Sequence, residues 1–179
     1  MRSGTDCVPG RMLIFGRENM NIEYRRAAAA DAETLVAIYN AAFYSDSMKY
    51  GECPGYGKSA EEMARSIERY PKYLISCDGR PVGCVSCKNL AGRTYEIGCL
   101  CVVPEFQRRG IGAAAMGLIQ AAHPDWETIT LVTPADKGGN LQFYIRKCGF
   151  QLEKVEMDGG VQVARLTLKR AHPAQKTRD

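Results

Sequence analysis

The chain has 179 residues and a formal net charge of +4, with 45% hydrophobic and 25% charged residues. That composition fits one globular domain with a sizeable core. The basic excess is too small and too scattered to argue for a nucleic-acid partner. No apolar run reaches bilayer-spanning length, and the island at Met12 to Phe15 is too short for a secretory core. A cytoplasmic protein that does not enter a membrane is therefore expected.

Residues 1–19 read as an extension outside the fold, 20–169 as one domain and 170–179 as a polar tail. "NIEYRRA" alternates like a first strand. A helix follows with Leu35, Val36, Tyr39, Ala42 and Phe43 on one stripe and Asp31 as its N-cap. "SMKYGECPGYGK" reads as a loop. The next helix starts at Ser59, with Glu62 completing a capping box and Met63, Ile67 and Tyr70 on one stripe. "KYLISC" and "PVGCVSCKNL" are strands around the turn "DGRP", and "RTYEIGCLCVV" is a third. "GIGAAAMGLIQAA" reads as a helix, "TITLVT" as a strand and "NLQFYIRKCGF" as a short helix ended by Gly149. A hairpin across "DGG" closes the domain. The order β-α-α-β-β-β-α-β-α-β-β predicts an α/β fold, α+β in detail, on one central mixed sheet.

Eight cysteines permit a disulfide framework or a metal site. Cys84 and Cys87 stand three apart on a strand, hence on opposite faces, and cannot share a metal. Cys99 and Cys101 share a face, but two thiols do not close a zinc site. Buried free thiols and no metal are expected. A cysteine nucleophile is weaker still, since the histidines are only His123 and His172.

"CVVPEFQRRGIG", residues 101–112, holds most of the chemistry. A strand ends at Pro104, two arginines and two glycines follow, and a helix begins. The first amides of a helix lack internal partners and sit at the positive end of its dipole. Glycines let the backbone approach closely, and arginines add bidentate phosphate recognition. Such a loop suits a phosphate, although an ordinary turn with solvated arginines has the same spelling. "GIGAAA" also fits G-x-G-x-x-A, but Pro104 to Arg109 intervene after the strand and no acidic residue follows the next strand closely, which argues against a dinucleotide site.

"EIGCLCVVPEFQRRGIGAAAM" resembles the acetyl-CoA-binding motif of the GNAT N-acetyltransferases, Gln/Arg-x-x-Gly-x-Gly/Ala, here at Gln107, Gly110 and Gly112. Glu96, Gly98, Leu100, Val102 and Pro104 match the family's pattern, as does the later "NLQFYIRKCGF", and the element order agrees over residues 21–168. The resemblance implies the GNAT acyl-CoA N-acyltransferase fold, acetyl-CoA as cosubstrate and an amine as acceptor. It puts the pyrophosphate on the loop Gln107, Arg108, Arg109, Gly110, Ile111, Gly112 and Ala113. It puts pantetheine along Leu100, Cys101, Val102 and Val103, with an amide near Leu100 or Cys101 polarising the thioester carbonyl. A β-bulge in this strand is common in the family, and Gly98 suits one. Glu96 matches a strand carboxylate that can act as general base. Tyr144 matches the tyrosine that can protonate the leaving thiolate. Asn140 resembles the asparagine that contacts CoA, although it stands four residues before the tyrosine where many members have seven.

The acceptor's identity stays open. In such enzymes the first two helices, their joining loop and the last hairpin usually select it. Asp46 and Glu52 can attract a cationic amine, and Tyr44, Tyr50 and Tyr56 can wall it. A monomer or a homodimer fits equally. The alternative on the same fold is a catalytically silent CoA-sensing or protein-binding module.

Overall fold

The computed structural model describes residues 12–15, 20–51 and 53–171, the first group by its backbone alone. Glu52, the rest of the N-terminal segment and the tail beyond residue 171 lie outside the described residues. The elements are β1 Met12–Phe15, β2 Asn21–Arg26, α1 Ala32–Tyr50, α2 Ala60–Arg69, β3 Lys72–Cys77, β4 Arg80–Ala91, β5 Thr94–Val102, α3 Ile111–Ala122, β6 Thr128–Pro134, α4 Gly138–Gln142, β7 Gln151–Asp158 and β8 Val161–Lys169. The strands bond in the order β1-β2-β3-β4-β5-β6-β8-β7, in a mixed sheet with flanking helices. The predicted element order is present, with β1 added ahead of it. β1 comes from the segment read as an extension and pairs antiparallel with β2, from Met12↔Tyr24 to Phe15↔Asn21.

The chain forms two compact units. One runs to Lys88 and resumes over Ile97–Pro124; the other comprises Asn89–Glu96 and the chain from Asp125 onward. In the first unit, β3 is buried at five of its six positions and β4 at Val82 to Cys87, so these strands need cover on both faces. The buried stripes Leu35, Ile38 and Tyr39 of α1, Met63 and Ile67 of α2, and Ile111, Ala115 and Ile119 of α3 are the apolar surface available for that. The turn between β3 and β4 is tighter than "DGRP" suggests. Asp78 and Gly79 alone make it, with φ of 49° and 78°, the paired left-handed geometry that matches strand twist.

In the second unit, β6 and β8 are in register from Thr128↔Lys169 to Pro134↔Val163, and β7 pairs with the other edge of β8. Its buried side chains include Tyr95, Trp126, Ile129, Leu131, Tyr144, Phe150 and Leu166. The ion pair Arg93–Glu127 at 2.6 Å and the Tyr95 hydroxyl donating to Asp125 at 3.0 Å tie the start of β5 to the approach to β6.

Two local expectations change. The loop read from Ser47 begins later, because nothing breaks the helix before Gly51, which caps α1 at φ 75° by donating to Ser47 O. Asp31 starts α1 without a side-chain cap; its carboxylate is held by Arg25 at 2.6 and 2.7 Å and by the Ala28 amide at 2.8 Å. The Ser59–Glu62 capping box forms as read, with reciprocal bonds of 3.1 and 2.8 Å. Ser59→Ala should therefore lower stability by about 1 kcal/mol. Urea denaturation checks this: the midpoint falls and the slope holds, and an unmoved midpoint would show that the cap contributes nothing.

Candidate acetyl-CoA site

The phosphate-loop reading depends on backbone geometry, and the loop has it. Arg108 has φ 62° and Gly110, the N-cap of α3, has φ 87°. No side chain caps α3. Its first intrahelical bond is Ala114 N to Gly110 O at 3.0 Å, so the amides of Ile111, Gly112 and Ala113 have no acceptor within the helix. Positive φ at two loop residues and uncapped amides make a concave, electropositive end suited to an anion.

The side chains add charge unevenly. Arg109 stacks on Phe106 at 5.0 Å, and Arg80, from the start of β4, stacks on the same ring at 5.3 Å. Arg108 is exposed. Arg80 escaped the sequence reading because it lies 28 residues before Arg108 and reaches the loop only through the β4–β5 hairpin. Gln107 points back rather than outward: its Nε2 donates to Val102 O at 2.9 Å and fastens the loop to the strand end.

The end of β5 offers fewer free groups than four consecutive residues imply. Val103 N donates to Val82 O at 2.8 Å, so that amide faces β4. Backbone polarity alternates along an antiparallel strand, so Leu100 and Val102 turn their amides to the edge away from β4. Val102 O is occupied by Gln107. Gly83 permits this close pairing, because a Cβ there would stand 2.6 Å from Cys101 O.

The strand also breaks its alternation at Gly98. A Cβ on Gly98 would stand 3.1 Å from Ser86 Oγ, on the face shared by Ser86 and Cys84. Cys99 also addresses that face, since its sulfur bonds to Cys101 and to Tyr39 of α1, whose hydroxyl is 3.9 Å from Cys84 Sγ. Two successive residues on one face make a bulge.

Cys84, Cys99, Cys101, Tyr39 and Lys72 thus gather beneath α1. Cys101 donates to Cys99, which holds the Cys99 thiol below the usual cysteine range and Cys101 well above it. Burial raises Cys84 and also Cys87, the latter to about 12. The described cysteines are free, and Cys77, Cys84, Cys87 and Cys101 are buried.

Glu96, Asn140 and Tyr144 fall in the second unit, and the loop and most of the pantetheine strand in the first. Glu96 is half-buried on β5, and its carboxylate has no hydrogen-bond or ion-pair partner among the described residues. Asn140 is exposed and donates to Thr133 Oγ1 at 3.2 Å, tying the start of α4 to the end of β6. Tyr144 is 8% exposed and meets Phe143 and Phe150 edge-on at 5.0 and 5.8 Å. It sits in a π-helical turn, Phe143–Lys147, closed by Cys148 N donating to Phe143 O. This wider turn, frequent at functional sites, was not visible as a break in helical spacing.

Residues 33–150, more than half the chain, match the family model described as Acetyltransferase (GNAT) family. The chain belongs to the GNAT acetyltransferase family. Among solved structures, this GNAT chain resembles the PaiA N-acetyltransferase of Thermoplasma acidophilum in complex with coenzyme A (TM-score 0.68, 19% identity, 83% of this chain and 99% of that one). It resembles the GNAT domain of S. lividans PAT (0.70, 14%, 89% and 97%) and YncA of Salmonella typhimurium with acetyl-CoA (0.65, 16%, 86% and 96%). At these identities the likeness shows the fold. The chain is also 37% identical over 84 residues to the uncharacterized protein YrkN of Bacillus subtilis (strain 168), covering 45% of this chain and 44% of YrkN. It thus spans less than half the length of that curated relative.

Proposed function

We propose that this GNAT protein transfers an acetyl group from acetyl-CoA to a primary amine by direct attack on the thioester. The observation that carries the reading is the uncapped, glycine-led N-terminus of α3 directly after the β5 edge, in a chain of this family. The pyrophosphate lies on the amides of Arg108 through Ala113, beside Gln107, whose own amide donates to Pro104 O at 3.2 Å, with Arg108, Arg109 and Arg80 supplying positive charge. Pantetheine runs along the end of β5 on the Leu100 and Val102 amides, and an amide near Leu100 or Cys101 stabilises the developing oxyanion.

A primary amine is mostly protonated at neutral pH, with a reference value of about 10.4 for lysine, and only its neutral form attacks. Glu96 takes the proton, directly or through water, and Tyr144 returns one to the departing thiolate. Asn140 steadies CoA through the end of β6. The reaction occurs in the cytoplasm, on a monomer or homodimer, with no metal, nucleic acid or membrane required.

Calorimetry with acetyl-CoA tests the cosubstrate, and absence of binding at millimolar ligand would end the proposal. CoA release across a panel of amines tests transfer. Binding without release from any amine would favour a CoA-sensing module. Glu96→Gln should lower kcat by a factor on the order of 100 and flatten the ascending limb of the pH–rate profile. An intact limb in that variant would remove Glu96 from the role.

A further inference from the structure

Lys72 opens β3, and its register partner on β4 is Ser86. Ser86 Oγ in turn faces Gly98 on β5, 3.1 Å from where a Cβ would stand. Lys72, Ser86 and Gly98 therefore form a row across three strands that ends on the β5 bulge. This is the face on which the Tyr39 hydroxyl of α1 meets Cys84, and the row ends two to three residues before Leu100 and Cys101, where the thioester carbonyl is proposed to lie.

The Lys72 side chain is 5% exposed. Its ammonium lies 5.9 Å from the Tyr70 ring and interacts with the thiols of Cys84, Cys99 and Cys101 and with the ammonium of Lys58. Lys88 shares the Tyr70 ring at 5.3 Å. Among the described residues, Lys72 makes no ion pair with a carboxylate. A buried ammonium without a counter-ion is costly, and charged groups are seldom enclosed unless paired. Burial holds Lys72 below the usual lysine range, and the thiols only partly offset this. Two lysines on one aromatic ring, with Lys58 near enough to repel Lys72, favour anions and repel polycations. Asp46, which had suggested a cationic acceptor, is 7% exposed within α1 and has a partner of its own.

We propose that Lys72 anchors an acidic group of the acceptor, so that the amine acetylated here carries a carboxylate, as an amino acid does. This rests on the acetyl-transfer reading and names its substrate class. Lys72 holds the carboxylate, Lys88 strengthens the field, and the amine is left to reach the thioester at the bulge. Polyamines and aminoglycosides are disfavoured by the same charges.

The test follows CoA release from the full-length protein with matched pairs: histidine and histamine, tyrosine and tyramine, lysine and cadaverine. At least one acid should exceed its decarboxylated partner about 10-fold or more in kcat/KM, the scale of one charge-assisted hydrogen bond. Lys72→Met should bring that ratio toward unity through KM, with acetyl-CoA affinity unchanged, and Lys72→Arg should restore part of it. Because Lys72→Met deletes a buried charge, it should melt no lower than wild type; should it fail to fold, Lys88→Ala gives a second reading, a KM for the acid raised about 3-fold. Decarboxylated amines that react as well as the acids overturn the inference and leave acetyl transfer standing. If no amine is acetylated while acetyl-CoA binds, acetyl transfer itself fails. Calorimetry of the same acids against the CoA-saturated protein then decides: binding lost in Lys72→Met upholds the anion anchor, and no binding overturns it.

Discussion

Tyr144→Phe should lower kcat about 100-fold and leave acetyl-CoA affinity unchanged. The reason lies in how the side chain is held. Its ring packs edge-on between Phe143 and Phe150 at 5.0 and 5.8 Å, contacts that phenylalanine keeps. The substitution therefore removes a hydroxyl and little else. A thiolate leaving without a proton from Tyr144 must draw one from solvent, which raises the barrier of the step that expels CoA. Steady-state kinetics with a reactive amine, paired with calorimetry on acetyl-CoA, separates the two effects. If kcat holds, Tyr144 is a packing residue. If affinity falls with it, the ring positions CoA and the hydroxyl is no acid.

Gly110→Pro should weaken acetyl-CoA binding by about 100-fold, close to 3 kcal/mol. Gly110 has φ 87°, whereas proline is locked near −65°. Nothing lies within 4 Å of a Cβ built at Gly110, so the loss acts through the backbone and not through a clash. Rotating this N-cap swings away the amides of Ile111, Gly112 and Ala113 together. Gly110→Ala separates the causes: it fits the space and costs only about 1 kcal/mol of left-handed strain, so binding should weaken a few-fold. Circular dichroism would confirm that α3 survives in both variants. Equal affinity in wild type and Gly110→Pro would place the pyrophosphate elsewhere.

Which features were legible in the sequence follows from the range of the forces involved. The Ser59–Glu62 box, the turn at Asp78–Gly79 and the loop opening α3 are each decided within four residues, where backbone sterics and nearby side chains dominate. The strand-loop-helix order around "CVVPEFQRRGIG" was equally local, and with it the case for a phosphate site. The end of α1 was less legible: glycines and a proline cluster after Ser47 as they do in loops, yet no breaker precedes Gly51 and the helix runs on to Tyr50.

The sequence by itself determined the family, the element order and the place where acetyl-CoA is proposed to lie. Tertiary structure alone decided which charges are buried, since burial depends on elements far apart in the chain. Lys72 looked like an ordinary residue at a strand end, and only the fold buries it opposite Ser86, whose hydroxyl faces Gly98. Asp46 looked like an open acid, and α1 buried it. Arg80 met Phe106 and Arg109 only because a hairpin returned the chain to them. Charge in the sequence counts alike wherever it stands; in the fold its effect is set by solvent exclusion and by the partners that packing brings within reach.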